Sequence, residues 1–533
     1  MIQALKNPSL FRPTSRPTSP NPVPDSGNVE RSRTLNRLSF TGFRRPSSLT
    51  PAASPSPTPL VQDGFYLEAL SLKLSEAVTR AFAQPPGAAS SNELLGGRRP
   101  IPAGRGQALG LLIASELKAA RNSPHLHRAI LRSLHKPLSV LLNNISALLL
   151  PLLSSPAFLQ PPAPTLQASN PNATQLHALA TAHFAGELLL VFDDMALGLD
   201  NDARGDGLKP IREGLVSIIG RVVNPLIAGI KSELMPLIEA LEHPVSVTVP
   251  KSATKTTPIL HPSITSLQSL MPIYARSLAR YTTSRTSQAT LAVFLISVVW
   301  RALVALSHRP CVCSSPRSAP GSPQMLPTSS RSRRSSSGNT PPVTPPVGRF
   351  TLKLPPSRPP SPPNVIMTST AAADARALYD LILLLPRPPA DCETSLDARE
   401  AVDGALADLK ALVTLLETMD NPDNLFFKIN QCTDEALAGV EALTNDLPTL
   451  IALPILLRGH SSAQMSGAMA TVASMVNIPE DQYRKRCLSG FGRAEECGPV
   501  VGQSVLDALR EQPGSDSQPC VLLSWLETRI GDH

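Results

Sequence analysis

From Leu67 onward, apolar residues recur at steps of three and four. Leu67, Leu70, Leu74, Val78 and Phe82 fall on one side of a helix that Pro85 and Pro86 stop. The same period predicts helices over residues 106–121, 125–150, 174–198, 210–242, 262–282 and 287–308, divided by Pro, Asn and Gly clusters such as Gln160 to Pro164. Alternating runs of Val, Ile or aromatic residues are scarce, and only Val245 to Val249 reads as extended, so a sheet is not expected. Short polar connections favour antiparallel packing of neighbouring helices.

A second helical series starts near Met367. Its clearest member runs from Thr394 to Met419, with Val402, Leu406, Leu409, Val413 and Leu416 on the apolar face and Thr394 and Asp397 in an N-cap arrangement. Further helices are expected around 424–445, 447–457, 462–476 and 499–511. Two leucine-rich or valine-rich runs, Ser139 to Leu153 and Leu291 to Leu306, approach the length of a membrane span. Asn143, Asn144 and Pro151 interrupt the first and Arg301 the second, so both are read as buried bundle helices.

Composition separates these helical stretches. Residues 1–60 hold eleven Pro with many Ser and Thr, and residues 309–366 hold fifteen Pro and twelve Ser, too little apolar surface to offset the entropy of ordering. The fold class expected is all-α: two helical modules of antiparallel-bundle type, 61–308 and 367–512, separated by a disordered Pro/Ser/Arg-rich linker, 309–366. A disordered arm, 1–60, precedes them, and a C-terminal tail, 513–533, follows. If flexible, the linker spans roughly 40 Å end to end and reaches either module.

Charge is segregated along the chain. The 131 residues from His243 to Ala373 contain fourteen Lys and Arg and no acid, whereas residues 374–533 carry twenty-four acids against twelve bases. Opposite signs on separable parts imply contact within the chain or with charged partners. Seven Cys without framework spacing, and no secretory leader read at the start, point to a reducing, intracellular and cytoplasmic setting, with nuclear or membrane-peripheral placement as variants.

No motif reaches a catalytic, cofactor or metal signature, and none of these is expected. Asp202, Asp206, Gly207 and Glu213 match four positions of a calcium loop, but Arg204 stands where a carboxylate must coordinate. Gly104, Gly106 and Gly110 have the wrong spacing for a dinucleotide turn, and prolines rather than a strand precede them. Cys311 and Cys313 lack a second pair at zinc spacing, and His460 with Cys487 shows no convergent constellation. Arg128, Arg132 and Lys136 form a candidate basic face on one helix, inside an acid-free span from Leu117 to Gly186. Aromatic residues for base stacking are nearly absent there, so an anionic membrane surface is a better partner than nucleic acid.

The low-complexity segments carry the remaining signals. Candidate phosphorylation sites are Ser47, beside Arg44 and Arg45, and Ser336, beside Arg333 and Arg334, with the proline-directed Ser315, Ser322, Thr340, Thr344 and Ser361. Arg349, Leu352 and Leu354 form a basic-hydrophobic docking sequence for kinases, and Lys353, Pro356 and Pro359 suit an SH3-type groove. The function expected is that of a non-enzymatic regulatory or scaffold protein with a phosphorylatable basic linker that mediates protein interactions. The alternative is a peripheral membrane or trafficking protein that binds anionic lipid through basic helices.

Overall fold

The computed structural model describes residues 59–85, 94–162, 171–199, 207–249, 259–310, 365–391, 393–420, 433–463, 471–511 and 520–531. Seven helices come first: α1 (Pro59–Ala81), α2 (Arg105–Ala119), α3 (Pro124–Leu153), α4 (Ala173–Asp194), α5 (Lys209–Glu239), α6 (Pro262–Tyr281) and α7 (Arg285–Ser307). Eight follow: α8 (Ala371–Ile382), α9 (Glu393–Asp420), α10 (Asp434–Thr444), α11 (Thr449–Ala463), α12 (Val472–Met475), α13 (Glu480–Cys487), α14 (Phe491–Arg510) and α15 (Val521–Gly531). Two short strands, β1 (Ser246–Val249) and β2 (Val365–Thr368), pair antiparallel, with Ser246 opposite Thr368 and Val249 opposite Val365. Among the described residues the structure is all-α apart from this ladder.

Local chemistry explains several helix ends. Asn172 and Gln175 form a capping box at the start of α4, and the Gln175 amide also donates to the carbonyls of Phe158 and Gln160, tying the preceding turn to the helix. Ser284 and Ser287 make the same box on α7. The glycines of α2 serve close packing. A Cβ at Gly110 would meet Val191 of α4 at 2.6 Å, and the amides of Gly104 and Gly106 donate to the Glu187 carboxylate at 2.6 and 2.9 Å. The anion at this helix N-terminus is therefore the protein's own Glu187.

Helices from both predicted series share one compact unit, Pro59–His533, and one apolar core running from Leu70 of α1 to Leu526 of α15. The pairs α2–α4, α4–α5, α5–α7 and α7–α9 follow one another through it, with α8 against α9 and α6, and α11 against α7 and α14. This differs from two modules joined only by a tether, and α7 supplies the reason. Buried residues reach round α7, from Leu291, Leu295, Val298, Val299, Ala302, Leu303 and Leu306 on one face to Trp300 and Val304 on the other, so α5 alone cannot cover the helix, and α8, α9 and α11 extend the burial.

Other expectations shift at their edges. Helix α9 matches its predicted span to one residue at each end. Helix α14 starts at Phe491 rather than near 499, because Pro499 sits inside it. Val245 to Val249, read as extended, contributes β1. Helices α8, α13 and α15 were not anticipated. The last lies within residues 513–533, read as a tail, yet Trp525 is fully buried there and donates to Thr444 Oγ1 at 2.9 Å. The expected helical segments at 424–432 and 464–470 lie outside the described residues.

Candidate functional site

Four chain ends meet at one place. Arg309, just past α7, donates from Nη1 to Asp374 Oδ2 at 2.5 Å and from Nη2 to the Ser369 carbonyl and hydroxyl at 3.0 and 2.7 Å. The second Asp374 oxygen accepts the His261 backbone N–H at 2.8 Å. The two charged side chains are 3% and 0% exposed, so each depends on the other for the solvation it has lost. His261 in turn accepts from the Ser263 amide at Nδ1 and bonds the His243 carbonyl through Nε2, both at 3.1 Å. Burial, ahead of the opposing pull of Asp374, holds the imidazole below its usual pKa, which favours the neutral tautomer that this bonding pattern requires.

The consequence is a clamp. His243 and His261 bracket residues 250–258, Arg309 and Ser369 bracket residues 311–364, and the β1–β2 ladder runs between the same ends. Asp374 is the first acid after the long acid-free run, and Glu242 is the last before it. Glu242 is engaged as well: both its oxygens accept from Arg484 of α13, at 2.6 and 2.7 Å. The two acids that bound the basic stretch thus join distant parts of the chain. A cavity of about 130 Å3 beside the clamp is lined by Arg309, Ser369, Thr370, Leu416 and Arg458, among others.

Arg128, Arg132 and Lys136 are exposed on one side of α3, while Ile130, Leu131, Leu134, Leu138, Leu141, Ile145 and Leu149 face the core. Helix α3 contains no acid, and the three cations have no ion-pair partner among the described residues. Toward its C-terminal end the helix also exposes Val140 (47%) and Leu150 (65%).

The candidate phosphorylation sites Ser47, Ser315, Ser322, Ser336, Thr340, Thr344 and Ser361 lie outside the described residues, as do Arg349, Leu352, Lys353, Leu354, Pro356 and Pro359 of the docking sequence. Among the described residues no three His, Cys, Asp or Glu side chains gather as a metal site. One pairing escaped the sequence: Cys520, immediately before α15, lies 3.4 Å from His460 Nδ1. Sixty residues separate them and no motif links them. Burial lowers the His460 pKa, which makes it a weak base toward the thiol.

No family model matches the chain, and no curated protein matches it. Among solved structures, the C-terminal domain of the exocyst subunit Sec6p is similar at 9% identity, covering 89% of this chain and 98% of that chain with a TM-score of 0.34. At that identity and TM-score the likeness carries no argument about what this chain does.

Proposed function

We propose that this chain is a non-enzymatic regulatory scaffold whose helical body holds the Pro/Ser/Arg-rich segment 311–364 by both ends and offers it to protein partners. The observation that carries the reading is the clamp: a buried ion pair and a strand ladder close the segment at its base. Closing such a loop adds little cost with length, so a long segment is tolerated without loosening the body. Eight Lys and Arg lie between Arg309 and Ile366. Phosphates at Ser315, Ser322, Thr340, Thr344 and Ser361, each about −1.5 to −2, cancel or reverse that charge. Arg349, Leu352 and Leu354 then serve kinase docking, and Lys353, Pro356 and Pro359 an SH3-type module.

The test compares the full chain with a variant whose residues 311–364 are replaced by a Gly/Ser segment of equal length, using proximity labelling in the native cell. An unchanged thermal melt with loss of a defined partner set is expected. An unchanged partner set sinks the reading.

The exposed α3 face favours a second reading, docking on an anionic membrane. Basic residues near such a surface contribute about 1 kcal/mol each, so Arg128, Arg132 and Lys136 supply reversible attachment. Co-sedimentation with phosphatidylserine vesicles checks it, and the Arg128→Gln/Arg132→Gln/Lys136→Gln variant should stay in the supernatant. Equal pelleting of variant and parent removes this face from consideration.

A further inference from the structure

The corner between α13 and α14 gathers unpaired cations in a part of the chain where acids predominate. Residues 374–533 hold twenty-four acids and twelve bases, and many of those bases are engaged: Arg399 with Asp403, Arg510 with Glu527, and Arg484 with Glu242 and Glu480. Lys485 and Arg486 nevertheless have no ion-pair partner among the described residues. With Gln482 and Ser489 they line a surface recess of about 560 Å3, which Arg493 of α14 completes. The spacing 482, 485, 486, 489 sets the first four on one side of the short helix and its exit. All five side chains can donate hydrogen bonds, and none is negatively charged.

The recess is held from behind. Trp300 of α7 donates from Nε1 to the Leu488 carbonyl at 2.8 Å, and its ring lies 4.6 Å from Phe491, centroid to centroid. Tyr483 is fully buried, and Arg484 grips Glu242 with both terminal nitrogens. Arg493 is oriented by donating from Nε to the Arg486 carbonyl at 2.9 Å and from Nη1 to Glu496 at 2.6 Å. Glu496 thus offsets one of three charges and leaves two. Burial, then Cys497, pushes the adjacent Cys487 thiol up to about 11, so no thiolate subtracts from them at neutral pH. Arg493 is thus set in place before an anion arrives, while Lys485 and Arg486, held through the backbone of α13, order their side chains on binding.

We infer that this recess is a binding site for a phosphomonoester group, either free or as the headgroup of a lipid. A single carboxylate brings one charge and two oxygens, whereas a phosphomonoester brings about −1.5 to −2 and three acceptor oxygens, matching two uncompensated cations and a ring of donors. The sequence reading missed the site because average charge hid it. Lys485 and Arg486 belong to a stretch read only as acidic, and Arg493 joins them through the turn at Gly490.

The test uses the full chain at low salt with two probes of the same chemistry: glycerol 3-phosphate, and phosphatidylcholine vesicles carrying phosphatidic acid. Vesicles carrying phosphatidylserine at matched surface charge are the phosphodiester control. Saturable binding that weakens about tenfold or more in Lys485→Gln/Arg486→Gln, and not in Lys118→Gln/Arg221→Gln, which removes two exposed cations on α2 and α5, is the expected result. Recess-dependent binding of glycerol 3-phosphate alone assigns a soluble ester, and of the phosphatidic acid vesicles, with or without it, a lipid headgroup. Either supports the site. Thermal melts confirm folding, and Arg486→Gln alone replaces the double variant if that one unfolds. Absence of binding to both probes, binding unchanged in the folded variants, or equal recess-dependent binding to phosphatidylserine overturns the inference.

Discussion

Helices α3 and α7 have nearly opposite relations to their neighbours despite similar composition. Both are long and apolar enough to cross a membrane by length and composition, as is the stretch containing α5. Of the most apolar window, 67% is buried in α7 and 28% in α3. In α7 most of the surface meets other helices, and Val293 and Arg301 are left exposed. In α3 one side packs on the core, and the other carries Arg128, Arg132 and Lys136 and, farther along, Val140 and Leu150. Hydropathy measures how costly a helix is to leave in water. Which surface relieves that cost is decided by what else the chain folds against it.

Breaking the α7 side should show the largest effects. Arg309→Ala strands the Asp374 carboxylate at 0% exposure and should cost about 3–5 kcal/mol in chemical denaturation. The double variant Arg309→Met/Asp374→Leu, which removes both charges, should recover most of it. A double variant no more stable than the single one would show that geometry, rather than stranded charge, sets the cost. Leu303→Ala, at a position 0% exposed toward the C-terminal end of α7, should cost about 2–5 kcal/mol, with the upper part of that range expected if the helices around it cannot collapse.

Proton linkage sharpens the comparison at smaller scale. Burial, then Arg484, holds His308 at the end of α7 at about 4 against an ordinary 6.5. The unfolded chain takes up a proton that the fold refuses, so stability from this group is lost as pH falls from 6.5 toward 4. Asp408 of α9 has the opposite sign. Burial, then Asp446 and Glu495, raises it from 3.8 to about 7, so the fold retains a proton that the unfolded chain releases, and its contribution is lost as pH rises through that window. Asp408→Asn should therefore raise the melting temperature at pH 8, with the gain shrinking toward pH 4. His308→Gln should flatten the acid limb. A uniform gain for Asp408→Asn at every pH would refute the linkage.

The smallest change belongs to α3. Leu150→Ser, at a position 65% exposed, should alter stability by no more than about 0.5 kcal/mol. The same substitution should lower vesicle binding if this face docks on a membrane, and a drop of several kcal/mol in stability would instead place Leu150 in a packed contact.

Periodicity located α9 to within a residue and anticipated the extended residues of β1, because each rests on contacts or preferences local in sequence. The same rules placed α14 too late, since a proline reads as a boundary while neighbouring helices can retain it inside. They passed over α13, whose row of charged residues has no apolar stripe beyond Tyr483 and Cys487. The placement of Arg128, Arg132 and Lys136 on one exposed side of a helix followed from spacing alone. The clamp was not, because Arg309 and Asp374 are separated by sixty-five residues, and nothing in either neighbourhood marks the other as its partner. The Cys520–His460 contact and the recess at Lys485, Arg486 and Arg493 were hidden for the same reason.

What the amino-acid order determined by itself was the helical character of the chain, the position of its apolar stripes, and the segregation of charge that leaves 131 residues without an acid. Tertiary structure alone decided that α7 would be enclosed by both helical series, that Glu242 and Asp374 would be joined to Arg484 and Arg309, and which cations would be left unpaired. Helix formation depends on residues three and four apart, which a sequence displays directly. Burial and ion pairing depend on which distant surfaces meet, and that is settled only when one apolar face excludes water from another.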